Sequence, residues 1–390
     1  MIKPMTDSAL NVLMLTDVYF PRINGVSTSI ETFRADLARE GVRIKLVAPA
    51  YPTPHETADT WRVPSRRLPF DPEDRLMRWR PLIDTAIQAA GTGVDLVHVQ
   101  TPFAAHYAGV KMARRFNVPV ITTYHTHFEE YIQHYLPLLP RQTLKAFARG
   151  IARHQCDDLD AVIVPSPAMR DTLLEYGVKA QMHVLPTGIP VSHFSHGDGS
   201  RFRARHAIPA DRPMALFVGR VAHEKNIGFL LDAMTHAVRH CPELLLAIAG
   251  EGPALTFLQR QVEALRLDNH VRFVGYLDRR QELPDCYAAA TVFAFASRTE
   301  TQGLVLLEAM AAGLPVYALP CMGTKSIVEP QHGAVAARDD PAAFGQGLAE
   351  LAGNQLQLAR LARDGRHFAE EWGAPERARQ LAALYRSLVV

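Results

Sequence analysis

Short runs of apolar, often β-branched residues alternate with longer amphipathic stretches along almost the whole chain, and this rhythm restricts the fold more than any other feature. Val12–Thr16, Ile44–Ala48, Leu96–Val99, Val120–Tyr124, Ala161–Pro165 and His183–Leu185 supply the runs of the first half. Ala215–Gly219, Leu244–Ala249, Val271–Val274, Val292–Ala296 and Val316–Leu319 supply those of the second. Unbroken apolar runs suit strands covered on both faces, as in parallel sheets. The intervening stretches Ser27–Glu40, Ile227–His240 and Ala254–Leu265 have helical periodicity. Strand–helix–strand repetition predicts an α/β chain built from doubly wound, Rossmann-like sheets.

At 390 residues the chain exceeds one ordinary domain, so two are expected. A polar stretch holding Pro186, Gly188, Pro190, Gly197, Gly199 and Pro209 reads as the linker. The predicted organisation is therefore a first domain over 1–190, a second over 191–373, and a helical tail over 374–390 that packs back on the first domain.

Lys and Arg number 42 against 40 Asp and Glu, a net charge of +2, too balanced for a protein that coats nucleic acid. Cys156, Cys241, Cys286 and Cys321 are scattered without paired spacing, which fits incidental thiols in a reducing compartment. The first apolar run, Leu10 to Leu15, is too short for a signal peptide core, and no stretch approaches the ~20 apolar residues of a membrane span. A cytoplasmic protein is expected, with attachment to the inner face of the cell membrane left open.

In open α/β sheets ligands bind beyond the carboxyl ends of the strands, and the unusual residues lie there. The run Ala215–Gly219 leads into Arg220-Val221-Ala222-His223-Glu224-Lys225, which puts two cations where a helix opens. Fixed cations and a helix N-terminus suit a diphosphate leaving group, whose negative charge grows as a sugar bond breaks. The run Val292–Ala296 leads into Glu300-Thr301-Gln302-Gly303-Leu304, with Glu308 eight residues after Glu300. If both acids share one helix, Glu308 lies about two turns on, on the same face. One carboxylate would then hold sugar hydroxyls and the other ribose hydroxyls. Glu308 sits among Leu306, Leu307, Ala309 and Met310, where an unpartnered carboxylate is costly, and this favours a functional role.

Gly219-Arg220…Lys225 and Glu300-x7-Glu308, continuing Ala309-Met310-Ala311-x-Gly313-x-Pro315-Val316, resemble the retaining GT-B glycosyltransferases of family four. Thr16-Asp17-x-Tyr19-x-Pro21-x-x-Asn24-Gly25-Val26 and Thr123-Tyr124-His125-Thr126-His127-Phe128 match the same family. The resemblance spans nearly the whole chain. It implies two Rossmann-like domains facing across a cleft, and a hexose moved from a nucleotide diphosphate sugar, UDP-hexose in the first instance. By the resemblance, Arg220 and Lys225 bind the donor diphosphate, Glu300 the transferred sugar and Glu308 the ribose. Thr301, Gln302, Gly303 and Leu304 line the phosphate end, and Asn24 and Gly25 form a phosphate-side loop in the first domain. The active-site histidine is His125 or its neighbour His127. Gly250 and Tyr276 fall at strand ends that line the nucleotide pocket. The reaction needs neither a cofactor nor a metal, and Asp158-Leu159-Asp160 is a chance match to the D-x-D of metal-dependent transferases.

On the acceptor side, Leu144–His154 reads as a basic amphipathic helix. Its apolar positions are Leu144, Phe147, Ala148, Ile151 and Ala152, with Lys145, Arg149 and Arg153 opposite. Between Trp61 and Pro81 six arginines interleave with Trp61, Phe70, Met77 and Trp79. Basic surface carrying aromatic rings suits an anionic membrane, and the overall pattern resembles the diacylglycerol glucosyltransferase branch. The implied partners are a nucleotide sugar, a lipid acceptor and an anionic membrane surface. The alternatives are a soluble or polysaccharide acceptor and, with a different chemistry, a nucleotide-sugar epimerase. A dinucleotide dehydrogenase fits poorly, because Gly250-Glu251-Gly252-Pro253 lacks the third glycine.

Overall fold

The computed structural model describes residues 9–53, 57–67, 75–125 and 141–389, with the side chains of 141–145 excepted. Contacts divide the chain into two compact units. Gly188 ends the first, which also takes in the tail from Ala374 onward, and Ile189–Gly373 is the second.

Among its described residues the first unit holds a seven-stranded parallel sheet. Its order is β3 (Thr60–Val63), β2 (Val42–Pro49), β1 (Leu10–Leu15), β6 (Leu96–Val99), β7 (Val120–Thr123), β8 (Ala161–Val164) and β9 (Met182–Val184). Alternate residues of each strand serve opposite faces. Val12 and Met14 pack with Ile30, Phe33, Leu381 and Tyr385, on the side of the Gly25–Leu37 helix and the C-terminal Ala374–Val389 helix. Leu13 and Leu15 pack with Leu82, Ala86, Ala108 and Met112, on the side of the Trp79–Ala90 and Ala104–Phe116 helices. Both faces are covered, which is why the strands read as unbroken apolar runs. The second unit repeats the plan with a six-stranded parallel sheet. Its order is β12 (Val271–Gly275), β11 (Leu245–Ala249), β10 (Met214–Val218), β13 (Val292–Phe295), β14 (Val316–Ala318) and β15 (Ala334–Ala336). The strand order turns between β1 and β6 in one sheet and between β10 and β13 in the other, and a crevice opens at such a point.

Two features depart from the sequence reading. β3, β15 and the antiparallel pair β4 (Ser65–Arg67) and β5 (Arg75–Met77) escape it, because they are short and several carry arginine in place of an apolar run. The expected linker forms two short helices, Val191–Phe194 and Gly199–Arg205. Phe194 and Phe202 anchor them in the second core, and Arg201 holds the carboxylate of Asp285 at 2.6 Å. Glycine and proline dominate that stretch in the sequence and mask the two buried rings.

The C-terminal helix is joined to the first sheet by a buried polar chain. His98 on β6 bonds the Tyr385 hydroxyl through Nδ1 at 2.7 Å and the Thr123 hydroxyl through Nε2 at 2.8 Å. Burial pushes His98 down to about 3 and both His106 and His125 down to about 4. In the unfolded chain all three bind a proton near pH ~6.5, so the stability they support is complete above that pH and is lost as pH falls. At pH 5.5 each withdraws about 1.4 kcal/mol. Asp17, raised to about 6 mainly by burial, acts with the opposite sign. It returns roughly 1 kcal/mol over the same interval. The net loss of ~3 kcal/mol predicts a melting temperature about 8 °C lower at pH 5.5 than at pH 7.5. A melting temperature that is flat across that interval contradicts this account.

Candidate active site

In the second unit, the turn of strand order brings two loops together. After β10 the chain passes through Gly219 and Arg220 into a 3₁₀ turn, His223–Lys225, and then the Ile227–His240 helix. After β13 it passes through Ser297–Gly303 into the Leu304–Ala311 helix. Asn226 donates from Nδ2 to the Ala296 carbonyl at 3.0 Å, and the hydroxyls of Ser297 and Thr299 each donate to the Glu224 carbonyl at 3.3 Å. Held this way, the Lys225 ammonium forms an ion pair with the Glu300 carboxylate, with both side chains mostly shielded. Arg220 stands 3.9 Å from Glu224. The Leu304–Ala311 helix opens on Gly303, whose φ of +90° is left-handed, and no side chain caps its N-terminus. Among the four residues from Thr301 to Leu304, Gln302 and Gly303 are buried and the other two are half-buried.

This geometry corrects the shared-face argument for the two acids. Glu300 lies in the loop, because the left-handed turn at Gly303 delays the helix until Leu304. Glu308 points into the interior, 2% exposed, and it is not without partners. Arg279 donates from Nη2 to its Oε1 at 2.5 Å and the Tyr287 hydroxyl donates to its Oε2 at 2.9 Å. The cost of burying Glu308 is thus met within the protein, and burial alone no longer argues for a ligand. Arg279 follows β12, beside the exposed Tyr276, and its charged form is strengthened by Glu308. Sequence reasoning missed it, because Asp278-Arg279-Arg280-Gln281-Glu282 looks like any solvated turn.

Gly250 has a structural reason to be glycine. Its N–H bonds the Gly275 carbonyl at 2.8 Å, and a Cβ there would stand 1.9 Å from the Gly219 carbonyl oxygen. The close approach knits the loops after β10, β11 and β12 into one rim.

In the first unit, Asn24 caps the Gly25–Leu37 helix by accepting from the Ser27 amide at 2.9 Å. Gly25 is the first helical residue and its backbone is not left-handed, so the conformational freedom of glycine is not what the position uses. A Cβ at Gly25 would meet nothing within 4 Å. Asp17 caps the Ala104–Phe116 helix, accepting from the Thr101 hydroxyl at 2.7 Å and the Ala105 amide at 3.2 Å. His125, after β7, bonds Gln100 Oε1 through Nε2 at 2.7 Å, and burial holds it down to about 4, so its ring is neutral at pH 7. A pocket beyond β6 and β7 is lined by Gln100, His106, Thr123, His125, Gln155 and Cys156 among others. His127 lies outside the described residues.

The amphipathic reading of Leu144–His154 is corrected in part. The helix spans Arg141–Asp157, and Ala148 and Ala152 are buried, but Phe147 is 57% exposed. Arg149 lies with its guanidinium carbon 5.1 Å from the Tyr176 ring centre, and both it and Arg153 are exposed. Lys145 belongs to this helix, and its side chain, like all of Phe70, lies outside the described residues. Asp160 accepts from the Val120 amide at 2.7 Å and Asp158 lies 3.9 Å from His154. Among the described residues, no group of three His, Cys, Asp or Glu side chains is placed to hold a metal, and no helix is long and apolar enough to cross a membrane.

Residues 23–193 match the model described as Glycosyltransferase Family 4, and residues 198–368 match Glycosyl transferases group 1. The chain is 33% identical over 321 residues to an alpha-monoglucosyldiacylglycerol synthase of Streptococcus pneumoniae, covering 79% of this chain and 71% of that protein. It is 28% identical to a GDP-mannose-dependent alpha-mannosyltransferase of Mycobacterium tuberculosis, covering 83% of this chain and 82% of the relative. A sucrose-phosphate synthase structure from Thermosynechococcus elongatus superposes with a TM-score of 0.80 at 23% identity, over 97% of this chain and 99% of that one, which is a likeness of fold. With both modules matched in order and a third of the aligned positions shared with an alpha-monoglucosyldiacylglycerol synthase, this chain belongs to the GT-B glycosyltransferases of group 1 and family 4.

Proposed function

We propose that the chain transfers a hexose from a UDP-sugar, UDP-glucose in the first instance, to a membrane glycerolipid of the diacylglycerol class, with retention and without a metal. The observation that carries the reading is the Lys225–Glu300 pair at the uncapped N-terminus of the Leu304–Ala311 helix, where β10 and β13 diverge. In this reading the donor diphosphate draws Lys225 and Arg220 to itself and rests on the backbone around Gly303 and Leu304, while Glu300 is released to bind sugar hydroxyls. Glu308 serves the ribose, Gly250 and Tyr276 border the base, and Asn24 and Gly25 serve the phosphate side. The absence of a side chain at Gly25 leaves space that no protein atom fills. His125 is assigned as the active-site histidine.

The bond from the anomeric carbon to the diphosphate oxygen breaks, and that oxygen gains negative charge. Two cations and a helix dipole stabilise it in place of a metal. The acceptor hydroxyl oxygen bonds the anomeric carbon, and its proton passes to the departing diphosphate. Support for the lipid acceptor comes from the Streptococcus relative, an alpha-monoglucosyldiacylglycerol synthase, and the Mycobacterium relative supplies the competing donor.

Incubating the protein with UDP-glucose or GDP-mannose and a lipid extract, followed by mass spectrometry, tests the proposal. A hexosyl-glycerolipid made from UDP-glucose, α-linked by NMR, is expected. Transfer from GDP-mannose alone, transfer only to water-soluble acceptors, or a β-linked product would each overturn the corresponding part.

A further inference from the structure

We propose that the first unit carries a membrane-docking ridge made of Trp79, Phe103, Tyr107 and Lys111, and that it seats on an anionic lipid bilayer. The inference rests on the glycerolipid reading above for its purpose, but it stands on separate residues.

Phe103, Tyr107 and Lys111 follow one another at intervals of four along the outer side of the Ala104–Phe116 helix. That spacing stacks them on one face. Phe103 is 50% and Tyr107 53% exposed, whereas Ala105, Ala108 and Met112 on the opposite face are buried against the sheet. The Lys111 ammonium lies 6.0 Å from the ring centre of Trp79, itself 45% exposed at the start of the Trp79–Ala90 helix. Two neighbouring helices therefore present three large exposed rings. Clustered exposed rings on a soluble domain mark an interaction surface. Trp and Tyr are the residues whose amphipathic rings suit the lipid headgroup level.

Charge selects the occupant. The Ala104–Phe116 helix contains no acid and adds exposed Arg114 and Arg115 to Lys111. Exposed Arg78 and Arg80 flank Trp79, and Asp84 is the single acid of the Trp79–Ala90 helix. Five cations around three rings complement a surface of lipid phosphates. The ridge also adjoins a place for a headgroup. Gln155 donates to the Tyr107 hydroxyl at 3.3 Å and to the Pro102 carbonyl at 2.8 Å, and the same Gln155 lines the pocket that holds His125.

Flotation of the whole protein with phosphatidylcholine vesicles, with and without phosphatidylglycerol, tests the ridge. Wild type is expected to float only with the anionic vesicles. The double variant Trp79→Ser and Phe103→Ser should bind at least about tenfold more weakly. Ser suits the helix N-cap position that Phe103 occupies, so folding is preserved. Lys111→Glu, which leaves the rings in place, should weaken binding and reduce its salt sensitivity. Both variants should keep the wild-type melting temperature and UDP affinity.

Wild type that ignores anionic vesicles, or a double variant that floats like wild type, overturns the proposal. So does a dimer that the double variant abolishes while neither protein floats, because the ridge would then be a self-contact. Wild type that glycosylates short-chain diacylglycerol without floating sinks the ridge and spares the proposed function. Ridge-dependent flotation without any lipid glycosylation does the reverse.

Discussion

Replacing Glu300 with Gln, or Lys225 with Ala, is expected to lower kcat by roughly 10²–10³-fold while the protein stays folded. The two side chains form one ion pair at the turn of strand order in the second sheet. A Gln amide keeps the size of Glu300 but loses the charge that strengthens hydrogen bonds to sugar hydroxyls as the ring becomes cationic. In the proposed reading, removing Lys225 takes away a fixed positive charge where the leaving diphosphate becomes more negative. A loss of about 3–4 kcal/mol of transition-state stabilisation corresponds to that fall in rate. Stability should change little, because the Lys225 and Glu300 side chains are 23% and 17% exposed and such pairs near a surface contribute about 1 kcal/mol or less. The double variant should be less impaired than the product of the singles, since each single change leaves its partner without the pair. Steady-state rates with matched thermal melts decide the matter. Wild-type kcat in either variant removes both residues from the chemistry.

The sheets were legible in the sequence because both of their faces are buried, so each strand declares itself as an unbroken apolar run. Val292–Phe295 and Leu245–Ala249 lie within a residue or so of their expected bounds. β3 and β15 were not legible, since edge strands of three or four residues carry too little apolar signal. The positions of Arg220, Lys225 and Glu300 after β10 and β13 followed from reading strand ends as ligand sites. What failed was placing Glu300 and Glu308 on one helical face. A left-handed Gly303 is a tertiary fact, fixed where Thr324 and Ile327 pack against it. Phe147 failed for the opposite reason. Helical periodicity places it on the apolar side, but Ala148 and Ala152 make the contact and the larger ring is left outside. Arg279 carried no signal at all, because its partner Glu308 is 29 residues away and periodicity does not reveal pairs at that distance.

That hidden pair carries the second large effect. Arg279→Ala is expected to destabilise the second unit by about 3 kcal/mol, the lower end for breaking a buried ion pair, because Arg279 itself is 28% exposed. Glu308, 2% exposed, would keep only the Tyr287 hydroxyl as a partner in the interior. A fall of roughly 6–12 °C in melting temperature follows for a unit of this size. Glu308→Gln should cost less, since the amide oxygen still accepts from one neighbour and no charge is stranded. The paired change Arg279→Met with Glu308→Leu should recover most of the loss, because replacing both partners removes the uncompensated charge as well as the attraction. Donor binding separates structure from function in this series. If Glu308 serves the ribose, Glu308→Gln weakens UDP binding out of proportion to its small effect on melting, and the stable double variant binds UDP poorly. An Arg279→Ala protein that melts with wild type would show that Glu308 is held by Tyr287 and its surroundings, and the electrostatic account of this helix would have to be abandoned.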